Sequence, residues 1–247
     1  MLTEKFLQGR LRHDLSEEET SALESVVTRT VTLGPRDILA ERGTRLERSY
    51  YIVKGTMLRH IDDKQGERQL VGINILGDFV DLHAFAMKRL DHSVSALDTC
   101  TLAEVPHASI AQIMERMPHL ARSLWFSTLL DAAMHREWIY RLGRLNAEGR
   151  IAHLICELLE RLRFVDAWEG GKFPIPLLQR DYAEACGISA VHANRSIRSL
   201  RERGALDPRG DGLIEILDEG ILRMVSGFTP DYLYGLGNLA ISSLSDK

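Results

Sequence analysis

The sequence predicts an α+β protein: a β sandwich or barrel at the N-terminus, one long helix in the middle, and a helical C-terminal part closed by a short strand pair. Three observations carry that prediction. Residues 31 to about 105 alternate short β-prone runs with turn residues, residues 118–145 hold a helical period, and residues 179–206 read as two short helices joined at a tight turn.

The 247 residues are 45% hydrophobic and 27% charged, enough to bury a core in about two domains. No apolar run approaches the roughly 18 residues of a membrane span, and no charged-then-apolar leader opens the chain. A cytoplasmic protein with no membrane partner is expected. Cys100, Cys156 and Cys186 lie far apart, with no paired-cysteine motif and no histidine cluster at zinc spacing, so no structural metal is expected.

In chain order, Ser16-Glu17-Glu18-Glu19 is a capping box ahead of Leu23, Val26 and Val27, which makes residues 16–28 a short amphipathic helix. The strand-like runs follow, with Gly34, Gly43, Gly55, Gly66 and Gly77 at the turns between them. Pro118 fits the first turn of the long helix, about 40 Å in length. Leu120, Leu124, Met134, Trp138 and Leu145 fall on alternating four- and three-residue spacing, with Ser127, Asp131 and Arg141 in the same seam. A seam of that kind pairs helices; packing on the protomer's own sheet is the other reading. Trp125, Phe126, Leu129 and Leu130 lie off it and are expected to pack back onto the β domain.

The helix pair is the most informative stretch. Its first helix spans residues 179–186, and Gly187 supplies the positive φ of a sharp stop. Ser189 caps the second helix. At 100° per residue, Ala193, Ile197 and Leu200 fall within about 60° of one another and form the buried face. Val191, Asn194, Arg195 and Arg198 share the opposite face, offering a methyl contact, an amide and two guanidiniums to a DNA major groove. Residues 189–203 hold four arginines (Arg195, Arg198, Arg201, Arg203) and one acid, Glu202, in a chain of formal charge −4, so local charge is the signal. A solvated arginine face is the alternative. The turn-rich Asp207-Pro208-Arg209-Gly210-Asp211-Gly212, followed by Leu213, Ile214, Ile216 and Leu217, adds a hairpin of the kind called a wing.

From about residue 33 to 217 this ordered set resembles the Crp–Fnr superfamily of bacterial transcription regulators. Tyr51-Ile52-Val53-Lys54-Gly55 and Val191-His192-Ala193-Asn194-Arg195 are the closest local matches. The resemblance implies a cyclic-nucleotide-binding-like jelly roll over residues 1–117, a central dimerisation helix over 118–145, and a winged helix-turn-helix domain with a C-terminal extension over 146–247. Asn146-Ala147-Glu148-Gly149-Arg150-Ile151-Ala152 matches the hinge where the second domain begins.

Two branches of the family are disfavoured. Members holding an iron–sulfur cluster need four cysteines, mostly near the N-terminus, and none precedes Cys100 here. Members that bind cyclic AMP carry a Glu for the ribose and an Arg-Ser pair for the phosphate; here Leu82 and His92-Ser93 stand in those places. Leucine accepts no hydrogen bond, and histidine lacks the fixed fork of arginine. Cyclic AMP is not expected to bind, and Asp81, Leu82, His83, His92 and Ser93 are the candidate contacts for another effector. A metal held by Asp81, His83 and His92 is the alternative to a small molecule, and plain surface residues are the simpler reading. Ser93 and Ser95 come with no nucleophile elbow or phosphate-binding glycine loop, so catalysis is not expected.

The resemblance implies a homodimer on double-stranded DNA, with Leu120, Leu124, Met134 and Trp138 at the dimer helix. Arg195, Asn194 and Val191 would read bases, and Gln179, Ser189, His192, Arg198 and Arg209 would meet phosphates. Relatives that read C·G beside the arginine contact carry Glu where this chain has Val191. They also cap the first helix of the pair with Thr, where this chain has Leu178, and Asp181 in the first turn offsets part of that loss. Activation by the family's route adds RNA polymerase as a partner. A regulator acting through protein partners instead of DNA is the rival reading.

Overall fold

A computed structural model describes residues 1–10, 14–209 and 213–236. The chain forms two compact units, one made of Met1–Gln8 and Asp14–Leu129 and the other of Gly9–His13 and Leu130–Lys247.

In the first unit α1 (Glu17–Ser25) starts at the expected capping box: the Ser16 hydroxyl accepts from the Glu19 N–H, and the Glu19 carboxylate accepts from the Ser16 N–H. Seven strands follow: β1 (Arg29–Leu33), β2 (Ile38–Ala40), β3 (Arg48–Lys54), β4 (Met57–Asp62), β5 (Arg68–Asn74), β6 (Ser93–Ala96) and β7 (Cys100–Pro106). They form two antiparallel sheets in the orders β1-β7-β3 and β2-β6-β4-β5. The four-residue α2 (Ala84–Met87) precedes β6, and α3 (His107–Arg116) follows β7.

Period-two alternation explains how β3 serves two cores. Ile52 points between the sheets, with Met57, Val94, Cys100 and Leu102. Tyr51 points the other way, into a layer built with Phe79, Leu23, Ile110 and Ile113. The run from β3 to β4 crosses from one sheet to the other at Gly55. Its φ is +91°, and a Cβ there would lie 2.7 Å from the Cys100 sulfur, so glycine is required twice over.

The long helix α4 spans Pro118–Arg144, as its period predicts. Its orientation differs from the expectation. Leu120 and Leu124 are buried in the core of the first unit, against Tyr51, Phe79 and Ile110. Trp138 is buried in the second unit, its indole N–H donating to Glu157 and the Arg141 guanidinium 4.1 Å from its ring centre. Met134 is half-buried. These residues therefore do not form an exposed dimer seam: the more apolar stripe of the helix is taken by the protomer's own cores. Phe126 packs on the core of the first unit as expected and Leu130 is buried, whereas Trp125 is 61% and Leu129 50% exposed.

The second unit continues with α5 (Ala147–Phe164), capped by the Asn146 side chain, then β8 (Lys172–Phe173), α6 (Gln179–Cys186), α7 (Ala190–Glu202), β9 (Leu206–Pro208), β10 (Ile214–Ile216), α8 (Glu219–Ser226) and a 3-10 turn at Asp231–Leu233. The wing is a three-stranded sheet, β8-β10-β9, because the loop before α6 contributes β8. The predicted wing tip, Gly210-Asp211-Gly212, and the tail beyond Leu236 lie outside the described residues. Tyr232, whose role the sequence left open, donates its hydroxyl proton to the buried Glu157 carboxylate.

Candidate nucleic-acid interface

The helix pair is built by its termini. Gly187 closes α6 in the left-handed conformation, φ 59°, and the Ser189 hydroxyl opens α7 by accepting from the His192 N–H at 3.2 Å. At the start of α6, Leu178 offers no acceptor. Asp181 supplies half of a capping box instead, accepting from the Leu178 N–H at 2.8 Å, a hydrogen bond in addition to the expected charge–dipole effect. Leu178→Thr is therefore expected to stabilise the protein by about 0.5–1 kcal/mol, since a hydroxyl at an extended N-cap accepts a further first-turn N–H. Thermal melting checks this; an unchanged or lower midpoint would contradict it.

Ala193, Ile197 and Leu200 of α7 are buried, as the wheel requires. The opposite stripe is open: Val191 is 63% exposed, Arg195 and Arg198 are exposed, and Asn194 is half-buried. Gln179, at the first position of α6, lines one shallow concavity with Val191, Asn194, Arg195 and Arg198, of about 380 Å³. A second hollow, of about 430 Å³, lies between this helix pair and the wing and includes Gln179, Asn194, Arg198, Arg201 and Arg209. His192 is exposed.

Ion pairing separates the arginines. Arg201 pairs with Asp207 at 2.9 Å and Arg203 with Glu148 at 2.7 Å, so both are neutralised inside the unit. Arg209 is paired across the wing with Glu215, a restraint invisible in the sequence because it depends on strand register. Among the described residues no acidic group pairs with Arg195 or Arg198. The positive charge left over is on the stripe that carries Val191 and Asn194.

The proposed effector residues divide differently. Asp81 is fully buried and its carboxylate accepts from the Tyr50 N–H at 2.8 Å; burial pushes it up to about 7 against that bond and the nearby Arg59 charge. Leu82 packs in the core with Phe79. Both serve the fold, which removes them from the effector set. The Ser93 hydroxyl accepts from the Arg42 N–H at 3.0 Å. His83 and His92 do come together, their ring centres 5.3 Å apart. The acid beside them is Asp91, not Asp81, with 2.7 Å between its Oδ1 and His92 Nδ1. Partial burial raises the Asp91 carboxyl, but the His92 hydrogen bond and the charges of His92 and His83 outweigh it and hold the group below its ordinary value.

All three cysteines are buried, and burial pushes the Cys100 and Cys156 thiols up to about 12. No helix among the described residues is long and apolar enough to cross a membrane.

Comparison with known proteins assigns both units. Residues 30–117 match the cyclic nucleotide-binding domain family and residues 149–225 the Crp-like helix-turn-helix domain family. The chain belongs to the Crp–Fnr superfamily of transcription regulators. It is 23% identical to the fumarate and nitrate reduction regulatory protein of Escherichia coli, over 87% of this chain and 85% of that one. It is also 23% identical to the anaerobic regulatory protein of Haemophilus influenzae, over 82% of this chain and 81% of that one. The structure of FixK2 from Bradyrhizobium japonicum has the same fold, with a TM-score of 0.73 at 20% identity over 80% of this chain and 96% of that one. A CRP/FNR-family regulator of Thermus thermophilus has it too, with a TM-score of 0.65 at 19% identity over 81% and 99% of the two chains. This Crp–Fnr regulator therefore combines an effector-binding type of domain with a DNA-binding helix-turn-helix.

Proposed function

We propose that this regulator acts as a cytoplasmic homodimer that reads an inverted repeat, with no catalytic activity of its own. The observation that carries the reading is the pair of unneutralised arginines, Arg195 and Arg198, beside Val191, Asn194 and Gln179 on one open face of the helix pair. Arg195 takes a guanine through O6 and N7, Asn194 an adjacent base edge, and Val191, which has no acceptor, favours a thymine methyl. Gln179, Ser189, His192 and Arg198 meet phosphates, joined by Arg209 once it leaves Glu215. RNA polymerase is the further partner if the outcome is activation. Residues 1–117, 118–145 and 146–247 remain the functional division into sensor, dimer helix and reader.

The dimer face is the exposed stripe of α4. Arg122, Trp125, Leu129, Ala132, Arg136, Ile139 and Gly143 follow each other at alternating three- and four-residue steps. Ile139 is 71% exposed, and all but the half-exposed Ala132 of this set are open. Two such stripes packed in parallel present two recognition helices about 34 Å apart, one turn of DNA.

Salt dependence of DNA binding tests the interface. Each phosphate contact releases counterions, so Arg198→Ala is expected to lower the log Kd against log salt slope by about 1 per protomer and to weaken all duplexes alike. A slope unchanged by the substitution would remove Arg198 from the interface. Absence of salt-dependent DNA binding in the unaltered protein would favour the protein-partner reading.

A further inference from the structure

We propose that His83, Asp91 and His92 form a binding site for a divalent transition-metal ion in the sensor unit. The three side chains each bring one donor atom, and these atoms lie within 4.8 Å of one another. An ion with bonds of about 2.0–2.2 Å holds its ligands roughly 3–4 Å apart, so closure needs side-chain rotation and no backbone rearrangement. His92 Nδ1 and Asp91 Oδ1 are 2.7 Å apart in a hydrogen bond, and an ion would replace its proton as the two atoms separate to ligand spacing. His83 supplies the second imidazole, and the Nε2 atoms of both rings are closed off from solvent.

The fold makes this grouping. His83 sits at the N-terminal boundary of α2, and the chain then turns through Lys88, whose φ of 63° ends that helix, and returns to Asp91 and His92 immediately before β6. Ser93, the next residue, is anchored by the Arg42 backbone N–H, so the returning strand is held while the two imidazoles face each other.

The donor set selects the ion. Two nitrogens and one carboxylate oxygen suit Zn²⁺, Co²⁺, Ni²⁺ or Fe²⁺; Ca²⁺ and Mg²⁺ prefer all-oxygen shells, and Cu⁺ prefers sulfur. Three protein ligands leave at least one position for water or a small anion. A phosphate-type anion in place of the metal is disfavoured because the Asp91 carboxylate stands against His92, where it would repel one. Metal binding here is independent of the DNA-reading role, so each can fail without the other.

The test uses full-length protein stripped with chelator and titrated with Co²⁺, followed by its visible d–d absorption, with Zn²⁺ competition by calorimetry. One ion per chain is expected, bound about 10-fold or more weakly after His83→Gln or Asp91→Ala. The Asp91 side chain is 67% exposed and His83 half-buried, so both variants retain their cores; unchanged far-UV circular dichroism confirms it. His119→Gln, which removes another histidine lying between acids, Asp14 and Glu19, is expected to leave the absorption unchanged. No Co²⁺ band, equal affinity in all variants, loss of the band in the His119 variant, or binding of inorganic phosphate but not Co²⁺ would each overturn the assignment.

Discussion

Leu129→Glu, or Trp125→Glu, is expected to leave each protomer folded and to dissociate the dimer, with operator affinity falling about 10²–10⁴-fold. Both side chains are half or more exposed in the protomer, so a carboxylate there is solvated and costs the monomer little. In a parallel helix pair the same carboxylate faces its own copy across an apolar seam, and two like charges are desolvated together. Once the protomers separate, the second half-site no longer binds at high effective concentration, which is the source of the lost affinity. Sedimentation of the free protein and titration of a full and a half operator measure the two effects. Leu124→Ala is the informative contrast: Leu124 is 1% exposed, so truncation is expected to cost about 2–5 kcal/mol of protomer stability. A stable Leu124 variant that fails to dimerise, with Leu129→Glu still dimeric, would restore the seam suggested by apolar content.

Arg195→Ala is expected to cost about 1–3 kcal/mol on the operator and much less on random duplex DNA. The guanidinium is exposed and without an acidic partner among the described residues, so removing it leaves the fold unaltered and no acid orphaned. The loss should concentrate at one base pair in each half-site, where discrimination against the other three pairs collapses. This separates it from Arg198→Ala, whose loss is uniform over sequence. Competition binding against every single-base operator variant reads the difference. Equal losses on operator and random DNA would remove Arg195 from base reading.

Local features were the legible ones. Ser16 with Glu19, Gly187 and Ser189 state helix ends through short-range hydrogen bonds and backbone preference, and these termini lie where the residues place them. The open face of α7 was legible because its buried side, Ala193, Ile197 and Leu200, leaves one alternative. The open face of α4 was not, because this helix carries two apolar stripes. Period alone does not say which one the protomer buries, and Arg122 and Arg136 disguise the outer one.

Strand β6 was not legible as an individual element because Ser-Val-Ser-Ala has little β pattern of its own; its position between β2 and β4 decides its conformation. Asp81 and Asp91 show the same limit at a site. Both are acids near the histidines in sequence, and only tertiary structure turns one to the Tyr50 backbone and the other to His92. The pairing of Arg209 with Glu215 likewise depends on wing register.

Selection of binding sites from random duplex DNA by the full-length protein, at moderate salt, tests the central claim most directly. The expected product is an inverted repeat with half-site centres about one helical turn apart and a guanine in each half that Arg195→Ala no longer selects. Enrichment of single, unpaired half-sites, or no enrichment at all, would contradict a dimeric reader of sequence.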